Sequence, residues 1–113
     1  MTASMIIILL VNPCEAPKML EIPAELSVYQ KLVGGTIRAI YPSMEEPIAL
    51  ICNDEEKLID LPLNRPLFDE EGNLYDIIAG TSFVVGLLED DFASLSPELI
   101  QKYSDRFKTV YLF

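Results

Sequence analysis

The chain has 113 residues, half of them hydrophobic, with 8 Lys and Arg against 18 Asp and Glu and a formal net charge of −10. That length suits one domain over residues 1–113, and the apolar content is enough to fill one core, which sets the chain apart from disordered sequences. The charge argues against nucleic-acid binding, which leans on Lys and Arg to neutralise phosphates, and Arg38, Arg65 and Arg106 are too scattered to form a basic stripe.

Residues 5–11, MIIILLV, are apolar without alternation, the pattern of a strand buried on both faces. The run is too short to span a bilayer. No basic residue precedes it and Asn12-Pro13 ends it without a small-residue cleavage pattern, so neither a membrane anchor nor a signal peptide is expected. Asn12-Pro13 and Pro17 mark a turn, and residues 19–22 return as a short partner strand. Pro23 opens a helical stretch in which Leu26, Tyr29 and Val33 fall at the i, i+3, i+7 spacing of one buried face. Gly34-Gly35 closes it, since glycine takes the left-handed conformation that ends a helix. Residues 36–41 alternate as a strand, residues 42–47 form a loop, and residues 48–52 are a second continuous apolar run suited to a central strand.

Residues 53–57 are polar and predict a turn. Residues 58–66 contain Pro62 and Pro66, which suit neither a helix nor a central strand. Leu67-Phe68 and Leu74-Tyr75 flank residues 69–73, whose Gly72 fits a hairpin turn. Residues 82–88 repeat the buried-strand pattern. Ser96-Pro97 reads as an N-cap with proline in the first turn, and the helix it opens runs through Phe107 with Leu99, Tyr103 and Phe107 four apart. Residues 109–113 alternate as a last strand. Five to seven strands and two short helices that do not alternate regularly point to an α+β fold with a mainly antiparallel sheet, a strongly curved sheet or half-barrel being among its open forms.

The chain has no histidine, which removes the commonest general base, the Ser-His and Cys-His nucleophile pairs and the usual zinc ligands. Cys14 and Cys52 are the only thiols and have no CxxC spacing, so two reduced cysteines in a cytoplasmic protein are expected, not a disulfide or a zinc site. No phosphate loop or GxGxxG occurs. No enzymatic activity, cofactor or metal is expected. Carboxylates cluster at Glu45-Glu46, Asp54-Glu55-Glu56, Asp69-Glu70-Glu71 and Glu89-Asp90-Asp91, each at a turn and none with EF-hand spacing, which reads as solvated charge.

The segment Leu61-Pro62-Leu63-Asn64-Arg65-Pro66 carries more information. Two prolines stiffen it and fix the directions of Asn64 and Arg65, whose side chains offer a donor–acceptor amide and a planar fork of donors suited to a carboxylate or phosphate. In the alternative reading, the commoner use of such loop residues, Arg65 pairs with Asp69 or Asp76 while Asn64 caps a turn. Gly80-Thr81 fits a bulge or tight turn, or a place where a ligand approaches the backbone.

Leu32-Val33-Gly34-Gly35, Ile51-Cys52-Asn53, LPLNR at 61–65, YDIIAGT at 75–81, Phe83-Val84-Val85-Gly86, Asp91-Phe92, Lys102-Tyr103 and Arg106-Phe107 together resemble a domain family of unknown function. The likeness covers nearly the whole chain, with Ser82 where an aromatic is common. The resemblance implies an accessory protein of a phage, plasmid or conjugative element of Gram-positive bacteria, working in the host cytoplasm. It carries no activity onto particular residues. The expectation is a non-enzymatic binding protein that interferes with host defence by sequestering a small anionic, nucleotide-like signal. Asn64, Arg65 and Thr81 would be its polar contacts and Tyr75 and Phe83 its aromatic neighbours. The rival expectation is an acidic interaction module that docks on a host defence protein, with its charge standing in for DNA. Self-association stays open under both.

Overall fold

The computed structural model describes residues 4–43, 45–55, 60–89 and 91–111. In chain order they form β1 (Met5–Val11), β2 (Lys18–Pro23), α1 (Leu26–Val33), β3 (Ile37–Ile40), β4 (Ile48–Asn53), β5 (Leu63–Phe68), β6 (Leu74–Ala79), β7 (Ser82–Leu88), β8 (Asp91–Ala93) and α2 (Pro97–Arg106). Six strands make one antiparallel sheet in the order β2-β1-β7-β4-β3, with β8 also on β7, and β5-β6 is a separate two-stranded hairpin. This is a mixed α+β fold with two helices and antiparallel strands, as the sequence predicts. The strand count is eight among the described residues, above the five to seven expected.

The unbroken apolar runs in β1, β4 and β7 follow from burial on both faces. Successive side chains of a strand point to opposite sides. Ile8, Leu10, Ala49, Ile51, Phe83 and Val85 accordingly join Tyr29 and Val33 of α1 in one core. Their neighbours Leu9, Val11, Ile48, Leu50 and Val84 join Leu67 and Ile78 of the hairpin, with Tyr103 and Phe107 at α2, in the other. The sheet is thus covered by α1 on one side and by α2 with the β5-β6 hairpin on the other. Gly34 ends α1 at φ +80, its N–H donating to the Gln30 carbonyl oxygen at 2.8 Å.

One edge of β7 is shared. β1 pairs with its start, Leu9 opposite Val84 and Val11 opposite Ser82, while β8 pairs with its end, Gly86 opposite Ala93 and Leu88 opposite Asp91. The chain leaving β8 is tied to β1 where the Ile7 N–H donates to Ser94 Oγ and the Leu95 N–H to the Ile7 carbonyl, both at 2.9 Å. A Cβ on Gly86 would lie 2.5 Å from the Ser94 carbonyl oxygen, so this crossing needs glycine.

Two expectations change and a third, the exclusion of a central strand around Pro66, holds in a sharper form. Leu26 lies on the angular face of Tyr29 and Val33 but is 56% exposed, because it opens the first turn and only lines a shallow depression beside Tyr29, Ile37 and Phe92. Pro66 sits inside a strand, β5, which is tolerated because β5 pairs only with β6 and is not central. Residues 109–111 form no strand despite their alternation, and Val110 and Tyr111 are exposed; residues 112–113 of that expected strand, like residues 56–57 of the expected turn and 58–59 of the stretch after it, lie outside the described residues. Among the described residues no helix is long and apolar enough to cross a membrane.

Candidate functional site

β5 turns Asn64 and Arg65 inward, leaving them 0% and 1% exposed. Asn64 Nδ2 donates to the carbonyls of Val11 at 2.9 Å and Gly80 at 2.8 Å, and its Oδ1 accepts from Arg65 Nη1 at 2.8 Å. Arg65 Nε donates to the Phe107 carbonyl at 3.1 Å, Nη1 to that of Asn12 at 3.3 Å, and Nη2 to that of Glu15. Thr81 Oγ1 donates to Asn12 Oδ1 at 2.8 Å. The knot joins the β1-β2 turn, β5, the β6-β7 turn and the end of α2. The Phe107 carbonyl belongs to the C-terminal end of α2, where the helix dipole is negative and favours a cation. Burial holds the Arg65 guanidinium below the usual arginine range, against the nearby Cys14 and Tyr111, which favour its charge.

The partners expected from spacing are therefore replaced. Arg65 meets backbone carbonyls, not Asp69 or Asp76, and the Asp76 carboxylate lies 3.8 Å from Arg38. Asn64 bridges strands and does not cap a turn. Of the five residues assigned to a ligand site, Asn64, Arg65 and Thr81 come together in this knot. Tyr75 is 46% exposed on the outside of the hairpin, and Phe83 is buried in the opposite core with its ring 5.7 Å from that of Tyr29. The five do not line one pocket.

A second constellation lies where α2 meets the hairpin turn and the β3-β4 loop, around a cleft of about 270 Å3. Ser43 Oγ accepts from the backbone N–H groups of Glu45 and Glu46 at 3.2 and 3.3 Å, folding the loop so that Glu46 faces α2. Glu46 then accepts from Lys102 Nζ through Oε2 and from the Tyr103 hydroxyl through Oε1, each at 2.7 Å. Arg106, one turn beyond Lys102, donates from Nη2 to the Phe68 carbonyl at 2.7 Å. The Lys102 bond, then the Tyr103 bond, hold the Glu46 carboxyl below the usual glutamate range. Burial, then the bond to Glu46, push the Tyr103 phenol up. Beside this cleft, Glu45, Asp69, Glu70 and Glu71 line an open depression of about 500 Å3. Asp69 shapes the turn there, its Oδ1 accepting from the N–H groups of Glu71 at 2.9 Å and Asn73 at 2.8 Å.

The family described as Domain of unknown function (DUF3846) matches residues 5–108, from the start of β1 to just past α2. The chain belongs to this family. No curated protein and no solved structure matches it. The DUF3846 span takes in both the Asn64-Arg65 knot and the α2 cleft.

Glu46, Lys102 and Tyr103 of this DUF3846 chain form a unit that sequence reasoning missed. Glu46 is one of two adjacent acids in a loop, and nothing in the sequence separates it from the solvated Glu45. The available signal was on the other side: Lys102 and Arg106, four apart on a capped helix, share a face, and the buried Tyr103 lies beside them. Among the described residues no group of three or more Cys, Asp or Glu side chains is arranged to hold a metal ion.

Proposed function

We propose that this DUF3846 chain is a non-enzymatic binding protein that docks an acidic surface on a basic protein partner. The observation that carries the reading is the gathering of Glu45, Asp69, Glu70 and Glu71 around one open depression, on a chain whose net charge is −10. Such a field steers basic partners inward and raises their rate of encounter. The ligand-sequestering reading draws less support, because it needs the Asn64 and Arg65 donors to face a cavity and those donors already meet Val11, Gly80, Phe107, Asn12 and Glu15. On this reading the partner is a host defence protein whose basic surface otherwise meets DNA, met in the host cytoplasm, and the mobile-element setting implied by the resemblance supports that choice.

The test is a pull-down with the full chain at low and at high salt, each eluate analysed by native mass spectrometry. The expected result is a basic protein retained at low salt, released at high salt, and no longer retained by the Glu45→Gln, Glu70→Gln, Glu71→Gln variant. A nucleotide-sized molecule carried by the chain, with no protein partner at either salt, returns the assignment to ligand sequestration.

A further inference from the structure

The outer face of the β5-β6 hairpin is apolar where solvent requires nothing of the kind. Its inner face supplies Leu67 and Ile78 to the α2-side core. On the outer face Phe68 stands opposite Leu74 and Pro66 opposite Ile77 in the strand register, and direct partners in an antiparallel pair point to the same side. Phe68 is 39% and Leu74 54% exposed, while Pro66 and Ile77 are half-buried. The register shift between Leu67 and Phe68 leaves Tyr75 without a direct partner, exposed on the same hairpin. A hairpin covered on one side normally alternates apolar-in and polar-out, so a row of outward apolar pairs is the mark of a surface that is covered by something else.

The charges around it select what covers it. Asp69, Glu70 and Glu71 form the turn between Phe68 and Leu74, and Glu45 lies across the depression from them. The cations nearest this border are already engaged: Lys102 with Glu46 at 2.7 Å, Arg38 beside Asp76 at 3.8 Å, and Arg106 on the Phe68 carbonyl. A second copy of the chain would bring the same acidic turn and be repelled, as would nucleic acid. We infer that the outer β5-β6 face seats a peptide segment of the partner that combines apolar side chains, laid over Phe68 and Leu74, with Lys or Arg side chains that reach Asp69, Glu70 and Glu71. The inference rests on the acidic-docking reading above and adds to it where the partner sits and what it must carry.

Three synthetic peptides serve as probes on the full, isotope-labelled chain: alternating Lys and Val, alternating Lys and Ser, and alternating Glu and Val. Amide chemical-shift mapping should place the Lys-Val peptide on β5, β6 and their turn, with the Lys-Ser peptide bound about tenfold or more weakly and the Glu-Val peptide not at all. The Phe68→Ser, Leu74→Ser variant, whose substitutions lie at exposed positions, should keep its thermal melt and lose about tenfold in affinity for Lys-Val. Shifts centred away from the hairpin, or equal affinity of the variant and the wild type, overturn the inference. If Lys-Ser binds as well as Lys-Val and Glu70→Gln, Glu71→Gln abolishes both, the apolar seat is wrong and the acidic-docking reading stands. If none of the peptides binds, both fall.

Discussion

A buried guanidinium keeps its charge when enough carbonyl dipoles converge on it, and at Arg65 they come from Phe107, Asn12 and Glu15. Arg65→Ala would remove the donors that the Phe107 and Glu15 carbonyls meet and one of the two on the Asn12 carbonyl, at a cost of roughly 3 kcal/mol, since hydrogen bonds to charged groups contribute about 1.5–3 kcal/mol each. Arg65→Lys should restore only part of this, because a single ammonium cannot span three carbonyls as the planar fork does. Urea unfolding of both variants checks it, and a midpoint within error of wild type for Arg65→Ala would remove the staple role. The stiffness from Pro62 and Pro66 and the fork of donors were legible in the sequence. The acceptors were not, because a backbone carbonyl is common to every residue and leaves no mark on the spacing. The two cysteines are read at the same scale: Cys14 is exposed and Cys52 buried, and the two are not joined in a disulfide. A thiol reagent should titrate one thiol at once in the native protein and the second only after denaturation, whereas an immediate count of two or of none would contradict these placements.

Elements were legible where a residue's own pattern carried the information. The runs in β1, β4 and β7 announce burial on both faces, and Ser96 with Pro97 announces α2, the Ser96 Oγ accepting from the Leu99 N–H at 3.3 Å. β8, three residues long, exists because β1 leaves the end of β7 free, a property of the neighbours and not of Asp91, Phe92 and Ala93 themselves. The same dependence explains residues 109–111, whose alternation finds no strand to pair with. Gly86 makes the arrangement testable. Gly86→Ala would drive a Cβ to 2.5 Å from the Ser94 backbone oxygen, and relieving it means moving β8, at a cost of about 1–3 kcal/mol in a denaturant titration. The latch between the β3-β4 loop and α2 gives a pH dependence. Its Glu46 carboxyl is held down first by Lys102 and then by Tyr103, so the latch adds stability above the unfolded value of about 4.5 and loses it as pH falls through the lower folded value. Tyr103 has the opposite sense: its phenol is pushed up, so its contribution is complete below about 10 and declines as pH rises beyond it. Lys102→Ala should bring the Glu46 titration, followed by carboxyl carbon resonance, back toward the ordinary range, and an unmoved titration would show that the contact is not formed in solution.

The whole molecule carries ten more negative than positive side chains, and that excess acts on the free chain and on any complex with opposite sign. In the free protein like charges such as Asp69, Glu70 and Glu71 share one turn beside Glu45, and compaction brings them together. Salt screens that repulsion over a Debye length of about 10 Å at 0.1 M. The Lys102–Glu46 latch and the Arg38–Asp76 pair weaken under the same screening, but they stand against a net charge of −10, so the sum favours the folded state as salt rises. The melting temperature of the free chain is therefore expected to climb between low and physiological ionic strength. A complex held by acidic docking must move the other way, since the same ions screen the attraction that assembles it, chiefly by slowing association. Melting curves and association rates measured across one salt series on the same preparation read both signs together. A free chain that loses stability with added salt would mean that its ion pairs outweigh its net charge, and a complex indifferent to salt would place the partner's recognition outside the acidic turn.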